Sequence, residues 1–432
     1  MRTLIILWLG QILSMIGSSM TGFAFTIWVW ELTGQATALA LFGLFSQVPK
    51  ILIIPIAGVI VDRWNRKYLM MLGDTVSGLL TITVLLLYTT HNLQLWHLYV
   101  AIGVKGTFNQ FQDLAFSASV SMMVPKEQYS RASSIGFLAN SSSMIIAPAL
   151  AGVLYPVIGL MGILIIDITT FAIAVSTLLL VDIPQPTITK VSTGSSTNLK
   201  QDIYFGWRYI AARPSLLAML LLMLLFLFAD QFCNSLFTPL ILARTGNDTK
   251  ALGMVYSAAG LGGIFGVLLV GAWGSFKPRI HGVLLGMVGA GFSQAVFGLG
   301  TIPLIWIGAQ FCSSLNFPIM GSADDAIWLS KVKPKVQGRV FAMRSMVLPV
   351  SSALANLMAG PLADRVFAPA MKPDGSLAPM LGWIFGTGSG AGIALLYVIS
   401  SLSMLVVGLG GYTFRVLRDV EIILPDYDAN TE

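Results

Sequence analysis

Charged residues are scarce in this 432-residue chain: Asp, Glu, Lys and Arg make up 10% of it, against about a quarter of a soluble domain. With 56% hydrophobic residues and a mean hydropathy of +0.81, the composition excludes a water-soluble globular protein and reads as a polytopic membrane protein. Cysteine is nearly absent as well. Cys233 and Cys312 both fall inside apolar runs and have no ligand-spaced neighbours, so no disulfide framework or zinc site is expected and both read as packing residues. Also missing are the Gly-x-x-x-x-Gly-Lys-Ser/Thr phosphate loop and the His-Glu-x-x-His and Gly-x-Ser-x-Gly strings. Work driven by bound ATP is therefore not expected, nor an enzymatic role, a cofactor or a catalytic metal. The net charge of +6 does not point to nucleic acid, because Lys and Arg are spread over many short loops and not gathered on one face or helix.

Long apolar runs are what the chain has in abundance. At about 20 residues per crossing, twelve spans can be drawn, at 4–30, 38–61, 68–89, 96–122, 132–157, 160–181, 215–241, 251–273, 281–300, 302–328, 341–366 and 384–412. Arg2 followed by an apolar stretch from Leu4 to Trp30 imitates a secretory leader, but no small-residue cleavage site follows, so the stretch counts as the first span. Between the second and third spans, Asp62-Arg63-Trp64-Asn65-Arg66-Lys67 places four charges in six residues, a hairpin that must lie in water at the bilayer surface. Asn65 there suits a left-handed backbone. With that hairpin in the cytoplasm, only Arg244, Lys250, Arg365 and Lys372 of the 25 Lys and Arg fall outside; Lys50 and Lys105 fall within spans and the other 19 fall inside. This bias puts both termini in the cytoplasm.

The one long polar connection runs from Asp182 to Arg213. Pro184 to Asn198 is rich in Pro, Ser, Thr and Gly and reads as flexible linker. Beyond it, Leu199, Ile203, Trp207 and Ile210 share a helical face opposite Lys200, Gln201, Asp202 and Arg208, the pattern of an amphipathic helix on the inner leaflet. The expected organisation is a six-span half at 1–181, a linker at 182–213, a second six-span half at 214–414 and a cytoplasmic tail at 415–432. An offset of 213 residues maps Gly58 onto Gly271, Arg66 onto Arg279, Arg131 onto Arg344 and Pro148 onto Pro361, so the halves read as a duplication. In the second copy Ser275 replaces Asp62.

The string Gly58-Val-Ile-Val-Asp62-Arg63-Trp64-Asn65-Arg66-Lys67 resembles the signature loop between helices 2 and 3 of the major facilitator superfamily, with Asn65 where that family prefers glycine. Its wording is most similar to the branch that contains macrolide efflux proteins and the enterobactin exporter. The fifth span resembles the family's antiporter helix 5, with small residues at Ser134, Ser143, Ala147, Pro148, Ala151 and Gly152; only the proline and last glycine match by identity. Small residues there permit close helix approach, a role they also play in membrane bundles at large. The resemblance implies an all-α fold of twelve helices in two pseudo-symmetric halves. It also implies a conformational latch at Gly58, Asp62, Arg63, Arg66 and Lys67. Gly360-Pro-Leu-Ala-Asp364-Arg365 repeats part of the loop string, but on an outward-running span, and reads as an ordinary helix end.

An ionisable group at bilayer depth costs about 2.5 to 3.5 kcal/mol on insertion scales, so those within spans should face protein or water. Lys50, Lys105, Asp113, Asp167, Asp230, Asp324 and Asp325 all fall within spans, the last two expected to be interfacial. At helical spacing, Lys105, Asn109, Gln112 and Phe116 share a face of the fourth span and Phe226, Asp230, Asn234 and Phe237 one of the seventh. Gln310, Ser314, Phe317 and Asp324 do so on the tenth span, and Gln11, Met15, Ser18 and Gly22 on the first. The family resemblance implies that these four spans line a central cavity, and makes Asp230, Asp113, Lys105 and Asp167 the proton-coupling candidates. The expected function is proton-coupled export of an amphiphilic small molecule (a drug, macrolide, siderophore or secondary metabolite) by a multi-pass protein of the bacterial inner membrane. Its partners would be substrate, protons and the lipid bilayer, and it would act as a monomer. A lipid or lysophospholipid transporter of the same fold remains open, as does a transport-inactive receptor or assembly factor.

Overall fold

The computed structural model describes residues 2–123, 129–180, 199–274, 276–333 and 336–424. Within its helices the side chains of residues 2–8, 54–59, 61–63, 66, 117–123, 129–142, 180 and 199–203 lie outside the description. The linker at 182–198 and the tail beyond 424 lie outside it too. Among the described residues every regular element is helical, as hydrocarbon demands of a chain that must satisfy its own backbone groups. The first five helices are α1 (Arg2–Thr33), α2 (Ala36–Arg63), α3 (Arg66–Thr89), α4 (Leu95–Met123) and α5 (Tyr129–Leu180). After the short α6 (Leu199–Ala211) come α7 (Pro214–Thr245), α8 (Thr249–Trp273), α9 (Arg279–Leu299) and α10 (Pro303–Lys331). Then follow α11 (Gln337–Arg344), α12 (Val347–Leu362), a π-turn at Ala363–Phe367, α13 (Ala368–Ala370), α14 (Ala378–Phe385) and α15 (Ala391–Thr413). Among the described residues, nine helices are long and apolar enough to cross a membrane.

Several local features differ from the sequence reading. The fifth and sixth spans meet without a loop, because Gly159 takes φ 63°, ψ −171°, a conformation open to glycine alone, and turns the chain inside α5. The eleventh span starts early as α11 and is interrupted at Ser345 and Met346. Asp364-Arg365 is no helix end: the π-turn carries the helix through to Ala370. Asn65 is extended, at φ −64° and ψ 117°, and not left-handed; its side chain accepts from the Lys67 and Tyr68 amides and so caps α3.

The chain forms two compact units, Met1–Thr193 with Thr245–Ser257, and Gly194–Arg244 with Ala258–Glu432. In the first, α1 packs along the later part of α5, while α3 lies against α4 and α5 and α2 against α4. Gly10 and Gly17 make the α1 contact close, for a Cβ at either would stand within hard overlap of Thr177 or Thr170. In the second unit α9 packs between α10 and α15. Phe297 is its aromatic centre, stacked on Phe237 and on Tyr397 at 5.2 Å each, with Trp306 beside it. The Arg244 guanidinium donates to the carbonyls of Gly298, Gly300 and Phe385, fastening the ends of α9 and α14 to α7.

Candidate functional site

The first unit encloses a cavity of about 720 Å³ between α1, α2, α3, α4 and the later part of α5. Its wall carries Gln11, Met15, Ser18 and Gly22 from α1 together with Lys105, Asn109, Gln112, Asp113 and Phe116 from α4, so the two stripes drawn from helical spacing face one space. Lys50 of α2 and Asp167 of α5 join them, as do Phe25 and Phe171. The wall is thus amphiphilic, with aromatic and thioether surface interleaved with amides, hydroxyls and five ionisable groups.

The acids differ in how they are held. Asp113 is exposed to the cavity, and Lys50, whose stem lies against Gly106, acts on it electrostatically. Asp167, 2% exposed, accepts from Ser18 Oγ at 3.1 Å and Thr81 Oγ1 at 3.0 Å. The sequence reading passed over a third acid, Asp74 on α3, which is 4% exposed and accepts from Gln11 Nε2 at 3.0 Å and Gln112 Nε2 at 2.7 Å. The signal was available, since Asp74 lies two turns inside an apolar run. Among the described residues no Lys or Arg forms an ion pair with either buried acid.

Of the helix-5 positions, Ser143, Ala147, Pro148, Ala151 and Gly152 are all buried; the Ser134 side chain lies outside the described residues. Ser143 exchanges a hydrogen bond with Ser19 at 2.9 Å and also donates to the Met15 carbonyl. Pro156 has no N–H, so the Gly152 carbonyl loses its helical partner; Thr249 Oγ1, at the start of α8, donates to it at 2.9 Å. Backbone approach there is close. A Cβ on Gly152 would lie 2.6 Å from the Thr249 carbonyl, and one on Gly253 would lie 2.5 Å from that of Pro148. The side chains of Asp62, Arg63 and Arg66 and the surroundings of Gly58 lie outside the described residues; Lys67 reaches the Leu179 carbonyl at the end of α5.

The remaining candidates belong to the second unit. Along α7, Phe226 and Phe237 are buried, Asp230 is half-buried with Gln231 Nε2 at 3.4 Å, and Asn234 is exposed. The spaced set therefore does not present one uniform face, and Phe237 serves the aromatic core. On α10, Gln310 donates to Ser314 at 3.3 Å and Phe317 meets Phe226 at 6.2 Å between ring centres. Asp324 is 1% exposed, pairs with Arg344 at 2.5 Å and accepts from Trp328 Nε1 at 3.1 Å, so it faces protein. Asp325 does remain exposed, with the same guanidinium at 2.7 Å. Among the described residues no cluster of His, Cys, Asp and Glu could hold a metal ion.

Known proteins resemble this chain in sequence and in fold. Macrolide efflux protein A of Streptococcus pyogenes is 26% identical over 363 residues, which cover 83% of this chain and 89% of that protein. The multidrug efflux pump Tap of Mycolicibacterium fortuitum is 21% identical over 358 residues, covering 81% and 86%. In fold, the chain matches a bacterial homolog of the human lysosomal transporter Spinster, solved inward-facing and unoccupied, with a TM-score of 0.66 and 15% identity over 96% of this chain and 94% of that one. The sequence profile of the Major Facilitator Superfamily matches residues 7–356, most of the chain and the whole cavity. The protein is a multi-pass membrane transporter and belongs to the major facilitator superfamily.

Proposed function

We propose that this transporter exports an amphiphilic small molecule against its gradient, driven by inward proton flow through alternating access. The observation that carries the reading is the 720 Å³ cavity, whose wall sets Met15, Phe25, Phe116 and Phe171 beside Asn109, Lys105 and Asp113. Such a surface suits a ligand with an apolar body and a few polar groups. Asp113, Asp167 and Lys105 on that wall, and Asp230 in the second unit, are the coupling candidates that the sequence offered, and three of them line the cavity beside the further acid Asp74; the relatives named for macrolide and multidrug efflux fit the same direction of transport. The charge bias of the loops favours both termini in the cytoplasm, and the loop at Asp62 is the natural latch, its acid present in the first half alone. The full chain in proton-loaded vesicles, offered a panel that includes a macrolide and a lysophospholipid, tests this directly. Gradient-dependent accumulation of a drug-like member supports the reading, and transport of the lysolipid alone replaces it with lipid transport.

A further inference from the structure

We propose that Asp74 is the proton-carrying group of the first unit, and that its protonation is read by Gln11 and Gln112 and not by contact with substrate. The inference rests on the transport reading above and adds the residue, the place and the means.

Burial separates the acids of the cavity by what can reach them. Asp113 is open and offers its carboxylate to any solute. Asp74, at 4% exposure, borders the cavity but has no free surface for an organic group, so water and protons reach it and substrate does not. Its hydrogen bonds close a ring. Gln112 Nε2 donates to Asp74 Oδ1 at 2.7 Å and to Gln11 Oε1 at 3.1 Å, while Gln11 Nε2 donates to Asp74 Oδ2 at 3.0 Å. An ionised carboxylate only accepts, and both amides turn N–H groups toward it. A proton on Asp74 makes one oxygen a donor facing a donor. One glutamine must then turn its carbonyl inward, and because Gln112 also holds the Gln11 carbonyl, the other loses its partner. No bond but the O–H forms or breaks, the proton coming from cavity water and returning to water.

The three members lie on α1, α3 and α4, so this rearrangement changes how α1 is tied to its neighbours. Those same helices carry Met15, Ser18, Asn109 and Phe116 to the cavity wall. Asp167 lacks this property: its partners Ser18 and Thr81 are hydroxyls, which reverse donor and acceptor by rotating a single hydrogen. The other charged groups on the cavity are Lys50 of α2 and Lys105 and Asp113 of α4. Gly73 completes the arrangement, since a Cβ there would stand 2.8 Å from Gln112 Oε1 and push the amide off Asp74.

The test uses the full chain in lipid vesicles with two readouts. Infrared difference spectra across a pH jump, without substrate, should show a protonated-carboxyl band that Asp74→Asn removes. With labelled erythromycin as probe, Asp74→Asn should lose at least tenfold in gradient-driven accumulation while substrate-for-substrate exchange persists. Gly73→Ala and Gln112→Leu keep the acid but disturb its donors, and each should move the midpoint of the band by about one pH unit or more, the worth of a hydrogen bond to a charged group. A band that survives Asp74→Asn overturns the assignment, as do unmoved midpoints in the other two variants should the first fail to fold. Wild-type vesicles that ignore the proton gradient overturn the exporter reading, while the band still decides the fate of Asp74.

Discussion

Gly152→Ala is the sharpest perturbation the fold offers, because the space it needs is already taken. The added Cβ would stand 2.6 Å from the Thr249 carbonyl and 3.3 Å from Gly253 Cα, where ordinary contact begins near 3.4 Å. The early part of α8 and α5 must therefore part by about 0.8 Å at this point. That movement stretches the Thr249 to Gly152 hydrogen bond from 2.9 Å to about 3.7 Å, beyond bonding range, and orphans a carbonyl that Pro156 has already left without a helical partner. Overpacking costs about 1 to 3 kcal/mol and a hydrogen bond between membrane helices about 0.6 to 1.7 kcal/mol, so the substitution should destabilise by about 2 to 5 kcal/mol. Thr249→Val removes only the second contribution and should fall within it. Gly263→Ala on α8 meets nothing within 4 Å and serves as the matched control. The assay is the denaturation midpoint of detergent-purified protein, followed by tryptophan emission, with transport measured in parallel. Wild-type stability in Gly152→Ala would show that the two backbones are not held in contact and would refute the argument.

Arg344→Met should cost about 3 kcal/mol by leaving Asp324 buried without its cation, while Asp324→Asn with Arg344→Met should recover much of the loss; quenching of Trp328, whose indole donates to Asp324, reports the break, and simple additivity in the cycle would disprove the pair. Asp62→Asn should slow turnover and shift the population toward the inward-open state, each kcal/mol of latch energy changing the two-state ratio about fivefold. Unchanged accessibility of both cavity mouths removes the latch. Cysteines placed at Asn65 and at Asp374, both exposed, should differ toward an impermeant thiol reagent in intact cells: the second labels and the first does not. Labelling at Asn65 from outside reverses the orientation.

Much of the fold was legible because hydrocarbon leaves the chain few options. Apolar runs of about 20 residues can only be helices there, and the loop signature at Asp62 pointed to the superfamily that the profile match establishes. What composition could not deliver was the joints. Gly159 merges two spans into α5 through one residue whose dihedrals no hydropathy window reports. The eleventh span breaks at Ser345 and resumes as α12, then passes through a π-turn at Asp364-Arg365 that the sequence marked as an end. Asn65 was understood as a residue tolerant of a left-handed turn, whereas its side chain serves α3 as a cap. At Gly159 a glycine backbone and at Asn65 a capping side chain decided the joint, and neither is reported by hydropathy.

The candidate site divides the same way, and the division is physical. Helical periodicity works where the polar face is broad: Gln11, Met15 and Ser18 on α1 and Lys105, Asn109, Gln112 and Phe116 on α4 were spaced correctly and reach one cavity. It fails where burial depends on a neighbour. Phe237 shares a stripe with Asp230, yet the stacking of Phe297 takes it into the core, and Asp324, placed near a helix end, is drawn inside by an Arg344 twenty residues further along the chain. Asp74 was missed although Ser77 and Thr81 follow it at helical spacing on α3, because that polar face is short and set in a run of apolar residues. Its significance exists only across helices, in amides that arrive from α1 and α4. A buried acid in a membrane span is costly enough to need a reason. Here the reason lies 63 residues before Asp74 and 38 after it, distances over which no periodicity runs.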